Sequence, residues 1–208
     1  MQQIVMALDQ GTTSSRTILF DDKGNIIASA SRDYPSYFPE SGWVEQEPED
    51  IWRSQKETIK TVLSKANLEM KDIAAIGITN QRETVIAWNS ETGEAVGRAI
   101  VWQCRRTADY CKELMAEGYD QTIRQKTGLV TDAYFSGTKM RWMLQNNPEA
   151  RKLAGQGKLK FGTVDSWLIW KLTGGKVHLT DASNASRTML YNIFEQKWDA
   201  EILEKLGI

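Results

Sequence analysis

A short polar segment between two apolar runs near the start of the chain constrains the fold most strongly. Residues 4–8 and residues 17–20 are runs rich in aliphatic and β-branched side chains, which are typical of buried strands. Residues 9–16, with the sequence DQGTTSSR, separate them. The sequence therefore predicts two strands joined by a polar loop. This loop is not a P-loop, because it lacks the G-x-x-x-x-G-K-[ST] pattern and a strand rather than a helix follows it.

The residue types in this loop suit a metal-bound polyphosphate. Gly11 permits close backbone approach, hydroxyl and backbone N–H groups can donate to phosphate oxygens, and Arg16 supplies positive charge. Asp9 is placed to reach Mg²⁺ directly or through water, as carboxylates usually hold this ion. From these residues alone, an ordinary polar hairpin is an equally good interpretation.

Charge, hydropathy and cysteine content narrow the function classes. The chain has 26 Lys and Arg against 27 Asp and Glu, so nothing in its charge favours binding to nucleic acid or to an anionic membrane. No run approaches the ~20 apolar residues of an integral membrane segment, and no signal peptide is expected. Cys104 and Cys111, expected on one helix, are too far apart for a disulfide. Since His178 is the only histidine, a zinc site is not expected, and a reduced cytoplasmic location fits best.

Hydrophobic periodicity predicts strands that alternate with helices, which indicates an α/β fold. A third strand should end near residue 32, and a helix should begin at Pro48, because proline is tolerated in the first helical turn. Buried strands are predicted at residues 73–78 and 85–88, as neighbours, and a short strand at 99–102. Further helices are predicted at residues 108–115, 138–144 and 164–172.

A second polar segment, residues 79–84, follows the predicted strand at 73–78. Polar side chains at the carboxyl end of a strand commonly line the cleft of an open α/β sheet. Glu83 can accept hydrogen bonds from two adjacent hydroxyls of a polyol, while Arg82 can donate to a third oxygen or hold the carboxylate in place. On the residues alone, the more common role of such a pair is as solvated turn charges.

Two aromatic residues are further candidates for a binding site. Trp102 can form an apolar wall for a small carbon skeleton, although a core position is the more common role in a chain with eight tryptophans. Tyr134 can donate a hydrogen bond to a ligand oxygen or to a backbone partner. The neighbouring Arg105 and Arg106 fit either a phosphate site or the start of an exposed helix.

Taken together, these segments resemble the FGGY family of carbohydrate kinases. The resemblance is carried by residues 9–16, 77–84, 100–107 and 134–146, and it continues through 161–170 and 180–189. It implies an actin/hexokinase-like fold of ribonuclease-H-like domains, each with a mixed sheet flanked by helices. It also implies that residues 1–208 are most of an N-terminal kinase domain, with the C-terminal domain absent.

The resemblance implies an ATP site in the loop at residues 9–16. Asp9 would lie close to the metal, Mg²⁺, and Thr12 would also lie near the phosphate being transferred. The positions that match contacts to ATP phosphates are Thr12, Thr13, Ser14 and Arg16.

The resemblance also implies a polyol site. Arg82, Glu83 and Tyr134 match glycerol-binding residues, and Trp102 matches an apolar wall beneath glycerol. Residues 80–83 and 102–106 favour glycerol among the substrates of the family. The implied reaction transfers the γ-phosphoryl group of ATP to a terminal hydroxyl of glycerol.

The chain departs from the family in length. Members are much longer, and their catalytic aspartate and adenosine site lie in later segments, so the base is expected beyond Ile208. We expect the chain alone to be inactive, to expose an apolar patch, and to belong to a longer parent that forms a homo-oligomer. The alternatives are an FGGY kinase for a pentose or longer polyol, a non-catalytic actin-like nucleotide-binding module, and a purely structural α/β domain.

Overall fold

The computed structural model describes residues 3–208, which form two compact units. Unit 1 contains residues 3–36 and 47–81, and unit 2 contains residues 37–46 and 82–208. Both units combine strands with helices, so the predicted α/β class is confirmed.

The first part of the chain supplies the larger sheet and one long helix. Its elements are β1 (Ile4–Gln10), β2 (Ser14–Phe20), β3 (Ile26–Asp33), β4 (Glu45–Gln46), α1 (Pro48–Ala66), a 3-10 helix (Met70–Asp72) and β5 (Ile73–Asn80). All of them except β4 belong to unit 1. Helix α1 begins at a proline, as predicted, and ends at Ala66. The next residue, Asn67, is left-handed and caps the helix. Its N–H donates to the carbonyl of Ser64 at 3.2 Å, and the N–H of Leu68 donates to the carbonyl of Leu63 at 2.9 Å.

The sheet of unit 1 has the strand order β3-β2-β1-β5. Strand β5 runs parallel to β1, while the other neighbouring pairs are antiparallel, so the sheet is mixed. Met6, Leu8 and Leu19 are fully buried on the face that α1 covers. Two hydroxyl pairs join this face to the helix, Ser15 with Ser54 at 2.9 Å and Thr17 with Thr58 at 2.8 Å.

Strand β2 was predicted to begin at residue 17, but it begins at Ser14. The hydroxyl pairs explain this difference. Ser15 and Thr17 are polar but fully buried, which is tolerated because each hydroxyl has a partner on α1. Part of the predicted loop is therefore strand.

The strand predicted at residues 73–78 is present as β5, but the expectation that it is buried is wrong. Within the described residues it pairs only with β1, residues 74–77 are exposed, and Ile76 is 39% exposed. Its continuous apolar run suggested a central strand, whereas here it forms an edge of the sheet. The predicted neighbour at 85–88 does not pair with it either.

Unit 2 contains the remaining elements. They are β6 (Ile86–Asn89), β7 (Ala99–Ile100), α2 (Ala108–Ala116), α3 (Asp120–Thr127), α4 (Ser136–Asn146), α5 (Pro148–Gly155), β8 (Leu159–Gly162), α6 (Val164–Leu172), α7 (Ala182–Ala185), β9 (Tyr191–Asn192), β10 (Lys197–Trp198) and α8 (Ala200–Leu206). The helices predicted at 108–115, 138–144 and 164–172 are confirmed as α2, α4 and α6. Three antiparallel pairs, β4 with β7, β6 with β8 and β9 with β10, form small sheets.

The start of α4 packs closely against the chain before β9. The N–H of Gly137 donates to the carbonyl of Thr188 at 2.7 Å. A Cβ atom at position 137 would lie 2.9 Å from that carbonyl oxygen and 3.0 Å from Leu190. The absence of a side chain at Gly137 therefore permits this contact, which fixes residues 134–137 relative to residues 187–190.

Cys104 and Cys111 are both buried and free. Cys104 precedes α2, so the two residues do not share a helix as expected. Among residues 3–208, no helix has the length and apolar character needed to cross a membrane.

Candidate functional site

The loop predicted to bind phosphate is a tight hairpin turn between β1 and β2. The N–H of Gly11 donates to the carbonyl of Ser14 at 2.9 Å, so this amide serves the turn itself. A Cβ atom at position 11 would lie 3.3 Å from the same oxygen. In this structure the glycine closes the turn, which differs from the expected role of admitting a ligand close to its backbone.

Strand register places the candidate phosphate and metal residues on the sheet face opposite α1. Asp9 lies directly opposite Arg16 on β2 and beside Thr79 on β5. Ser14 shares this face with Arg16, because alternate residues of a strand point the same way, whereas Ser15 points towards α1. Asp9 is half-buried and Arg16 is exposed, as is Thr13 in the turn. Thr12 lies beside Thr13 and is half-buried.

This set of side chains fits magnesium-bound phosphate groups in kind. Hydroxyls and a guanidinium are suitable donors for phosphate oxygens. Mg²⁺ is typically held by one or two carboxylates together with phosphate oxygens and water, so Asp9 alone suffices on the protein side. In the part of the chain that the structure describes, no group of three or more His, Cys, Asp or Glu side chains could hold a metal ion without such help.

A buried polar network supports the hairpin turn. The hydroxyl of Tyr34 donates to the carbonyl of Gly11 and accepts from the side-chain amide of Gln10. The side-chain amide of Gln81 also donates to this hydroxyl, at 3.2 Å. The backbone N–H of Gln81 donates to the carbonyl of Gln10 at 2.9 Å. Burial raises the pKa of Tyr34, so the phenol remains a donor. No role for this tyrosine was predicted from the sequence.

Three of the residues predicted to bind a polyol belong to one cluster in unit 2. The rings of Trp102 and Tyr134 lie 5.2 Å apart between centroids. Glu83 is 3% exposed, and one of its carboxylate oxygens, Oε1, accepts from Nε of Arg187 at 2.6 Å. The guanidinium carbon of Arg187 lies 4.9 Å from the ring centroid of Phe135 and 5.5 Å from that of Tyr134. A carboxylate and an aromatic wall therefore meet around a single arginine.

Arg82 and Glu83 have different environments despite being adjacent. Arg82 is exposed, whereas Glu83 is buried. The cation that pairs with the Glu83 carboxylate is Arg187, so the alternative in which Arg82 holds it in place does not describe this structure. A substrate-binding role for Arg82 stays a prediction.

Arg187 was not predicted as a site residue, although the segment at residues 180–189 contributes to the resemblance to the FGGY family. A buried carboxylate requires a cation or several hydrogen-bond donors, which was the available signal. The sequence does not indicate which arginine supplies the charge, because Arg187 and Glu83 are far apart along the chain.

Side chains from two segments fix the position of Tyr134. Asp132 accepts from the N–H of Tyr134 at 2.7 Å, and Arg105 donates to both oxygens of Asp132 at 2.6 and 3.1 Å. The hydrogen bond from Arg105 lowers the pKa of Asp132. From below, Nζ of Lys139 donates to the carbonyls of Tyr134 at 2.6 Å and Phe135 at 2.9 Å.

Lys139 is fully buried in α4. Desolvation lowers the pKa of this amine to about 7, although the nearby Cys104 and Glu83 favour its charged form. The lysine therefore supports the backbone under the aromatic wall while carrying a readily titrated proton.

Arg106 was expected either in a phosphate site or at the start of an exposed helix, but it is buried against two tryptophan rings. Its side chain is 2% exposed, and its guanidinium carbon lies 3.7 Å from the ring centroid of Trp43 and 4.6 Å from that of Trp142. It also donates to Glu45 at 2.7 Å. Arg106 is thus neither a phosphate ligand here nor the exposed start of a helix, and Arg105 is occupied by Asp132.

Residues 4–208 match the family model described as the FGGY family of carbohydrate kinases, N-terminal domain. The glycerol kinase of Caldanaerobacter subterraneus subsp. tengcongensis is 59% identical over 208 residues, which cover 100% of this chain and 42% of that protein. This chain thus spans about two fifths of the length of the curated relatives it matches.

Solved structures show the same similarity. The crystal structure of Plasmodium falciparum glycerol kinase with ADP matches with a TM-score of 0.92 and 34% identity, covering 99% of this chain and 41% of that one. Gluconate kinase from Lactobacillus acidophilus matches with a TM-score of 0.86 and 27% identity, over 100% of this chain and 40% of that one. The expected fold, an α/β arrangement with a mixed sheet flanked by helices, is therefore confirmed.

Proposed function

The chain belongs to the FGGY family of carbohydrate kinases, and on that premise we propose that it is most of the N-terminal domain of an ATP-dependent glycerol kinase. The observation that carries the proposal is the buried carboxylate of Glu83 beside the aromatic pair of Trp102 and Tyr134. A carboxylate that accepts hydroxyl protons next to an apolar wall is the chemistry that a small polyol requires. Among the solved structures, identity is 34% to a glycerol kinase against 27% to a gluconate kinase, and a curated glycerol kinase is 59% identical, which supports glycerol as the substrate.

In the polyol site, we assign hydrogen-bond acceptance from adjacent glycerol hydroxyls to Glu83. Arg82 donates to a glycerol oxygen, for which its exposed position is suitable. Tyr134 donates through its phenol, and Trp102 packs against the carbon skeleton. Together these contacts select a compact molecule with neighbouring hydroxyls.

In the phosphate site, Asp9 would hold Mg²⁺ together with phosphate oxygens. When bound, ATP would supply the phosphoryl group, and Mg²⁺ would neutralise part of the negative charge of the phosphates. The residues that donate to phosphate oxygens are Thr12, Thr13, Ser14 and Arg16. The support for this assignment is their shared chemistry, and the register that places Asp9, Ser14 and Arg16 on one sheet face.

The reaction forms a bond between a terminal glycerol oxygen and the γ-phosphorus and breaks the bond from that phosphorus to its bridging oxygen. The hydroxyl proton passes to a base, and the product is sn-glycerol 3-phosphate. We assign the base to a later part of a longer protein, since the chain spans 42% of its relative.

We also propose cytoplasmic location, where ATP is available, and a homo-oligomeric parent. Apolar exposure at Val5 and Ile76, 39% each, supports further contacts in that parent.

Substrate competition in the full-length protein tests the assignment. ADP release should be fastest with glycerol and much slower with xylulose or gluconate. Glu83→Gln should raise the KM for glycerol by about 10-fold or more, because a charged acceptor is lost. Glu91→Gln is the matched control, since Glu91 forms an exposed ion pair with Lys158 at 2.9 Å. Preference for a sugar would reject the roles of Glu83 and Arg82.

The isolated 208-residue chain provides a second test. It should show no turnover of ATP with glycerol, because the base is assigned elsewhere. Measurable turnover would place the base within the chain. Absence of turnover in the full-length protein would instead favour the non-catalytic nucleotide-binding module.

A further inference from the structure

Arg187 has contacts on two sides that connect the proposed substrate carboxylate to the aromatic wall. Its Nε donates to Oε1 of Glu83 at 2.6 Å. The guanidinium carbon lies 4.9 Å from the centroid of Phe135 and 5.5 Å from that of Tyr134. The side chain of Arg187 is 26% exposed, and that of Glu83 is 5% exposed.

The single hydrogen bond leaves a specific part of the carboxylate for a ligand. Arginine often binds a carboxylate through two parallel bonds, which would occupy both oxygens. Within residues 3–208 the bond to Oε1 comes from Nε of Arg187, and Oε2 is the oxygen that we assign to substrate. The arginine thereby compensates the buried charge and still leaves one acceptor.

The backbone around Arg187 is also fixed. The carbonyl of Thr188 accepts from Gly137 at 2.7 Å, and the side chain of Thr188 accepts from the N–H of Leu190 at 3.1 Å. Because Gly137 is only three residues from Tyr134, the arginine and the aromatic wall are held in one rigid arrangement.

We propose that Arg187 is a positioning residue that orients Glu83 for substrate and couples it to Tyr134. This inference rests on the proposed function, because Glu83 is taken as the acceptor for glycerol. Arg187 acts through Glu83 and does not itself bind the polyol. Its loss should therefore weaken binding of glycerol while leaving binding of ATP unchanged.

A double-mutant cycle in the full-length protein tests this role. Arg187→Met should raise the KM for glycerol by about 10- to 100-fold, the loss expected for a charge-assisted hydrogen bond, and change the KM for ATP by less than about 3-fold. Arg187→Lys should recover part of the loss, because it keeps the charge without Nε–H. In a Glu83→Gln background, Arg187→Met should add less than about 2-fold, since the partner carboxylate is already absent.

Arg98→Met is the matched control. Arg98 also pairs with a glutamate, Glu45, at 3.7 Å, and lies over an aromatic ring, 4.0 Å from the centroid of Tyr37. It lies outside the proposed site, so its loss should leave the KM for glycerol unchanged. Thermal unfolding of each variant shows whether it is folded. If Arg187→Met is unstable, Arg187→Lys is compared with wild type in its place.

The possible results separate this inference from the proposed function. An equal loss from Arg187→Met in the wild-type and Glu83→Gln backgrounds would mean that Arg187 acts independently of Glu83, and the inference would be wrong. An unchanged KM for glycerol in both Arg187 variants would also overturn it. If the wild-type protein does not phosphorylate glycerol, the proposed function fails and this inference fails with it.

Discussion

Replacing Gly137 with alanine should destabilise unit 2, although alanine is the better helix former. Gly137 lies in the first turn of α4, where alanine would ordinarily gain ~0.5–1 kcal/mol. The added Cβ would lie 2.9 Å from the carbonyl oxygen of Thr188, with Leu190 at 3.0 Å and Leu206 at 3.2 Å. That oxygen cannot retreat without lengthening its 2.7 Å hydrogen bond from Gly137 N–H.

The two effects have different magnitudes. Overpacking of this kind costs ~1–3 kcal/mol, which exceeds the gain in helix propensity. We therefore expect Gly137→Ala to lower the free energy of unfolding by ~1–2 kcal/mol. With a urea dependence of ~2 kcal/mol per molar, the midpoint should fall by ~0.5–1 M.

Gly155→Ala is the matched control. Gly155 is the last residue of α5, is exposed, and has no heavy atom within 4 Å of an added Cβ. Alanine there should stabilise the protein by ~0.5–1 kcal/mol. The assay is urea unfolding of the 208-residue chain followed by tryptophan fluorescence, which reports mainly on unit 2 because every tryptophan except Trp52 lies there. A Gly137→Ala chain at least as stable as wild type would refute the reasoning.

Two further expectations concern buried polar groups. Thr17→Val should lower the free energy of unfolding by ~0.5–1.5 kcal/mol, because it removes the hydrogen bonds of Thr17 with the hydroxyl of Thr58 at 2.8 Å and the amide of Gln55 at 2.9 Å. Both groups keep another partner, the carbonyls of Gln55 and Arg16 respectively. Thr61→Val, on the exposed side of α1, should change the free energy of unfolding by less than ~0.5 kcal/mol in the same urea assay, and equal effects would contradict the prediction. Burial lowers the pKa of Lys139 from 10.5 to about 7, so the unfolded chain binds a proton that the folded chain does not, and stability should rise with pH between these values. In urea unfolding at several pH values, the slope of stability with pH should be ~1 kcal/mol per pH unit more positive in wild type than in Lys139→Met, and equal slopes would contradict the prediction.

Elements with strong local signals could be predicted from the sequence. Helix α1 was located from Pro48 and its apolar face, and the bounds of α6 from its composition, because these signals lie within the element. Position within a sheet was not predictable in this way. The apolar run of β5 suits a central strand as well as an edge strand, and the choice depends on which other strands are present. For the same reason the pairing of β6 with β8 was missed.

The candidate site was predictable to a similar extent. The chemistry of their own segments made Glu83, Trp102 and Tyr134 candidates, although a structural role fitted each at least as well. The resemblance to the FGGY family selected them, and the structure places them in one cluster. Their supporting residues were not recognisable, because support depends on tertiary contacts. Arg187 reaches Glu83 from a distant segment, and Lys139 sits beneath Tyr134 as a buried amine that a surface-helix pattern does not suggest.

The parallel pairing of β1 with β5 has a consequence for synthesis of the protein. The hairpins β1–β2 and β2–β3 form between strands that are adjacent in the sequence. The other edge of β1 pairs with residues 73–80, so it stays unpaired until those residues are synthesised. At ~5–20 residues per second, that edge emerges roughly 4–14 s before its partner. Until residues 48–66 have also emerged, Met6 and Leu8 lack the cover of α1. An uncovered apolar strand edge is a template for intermolecular association. We therefore expect the yield of this fold to depend on protection of the nascent chain as well as on stability of the finished sheet.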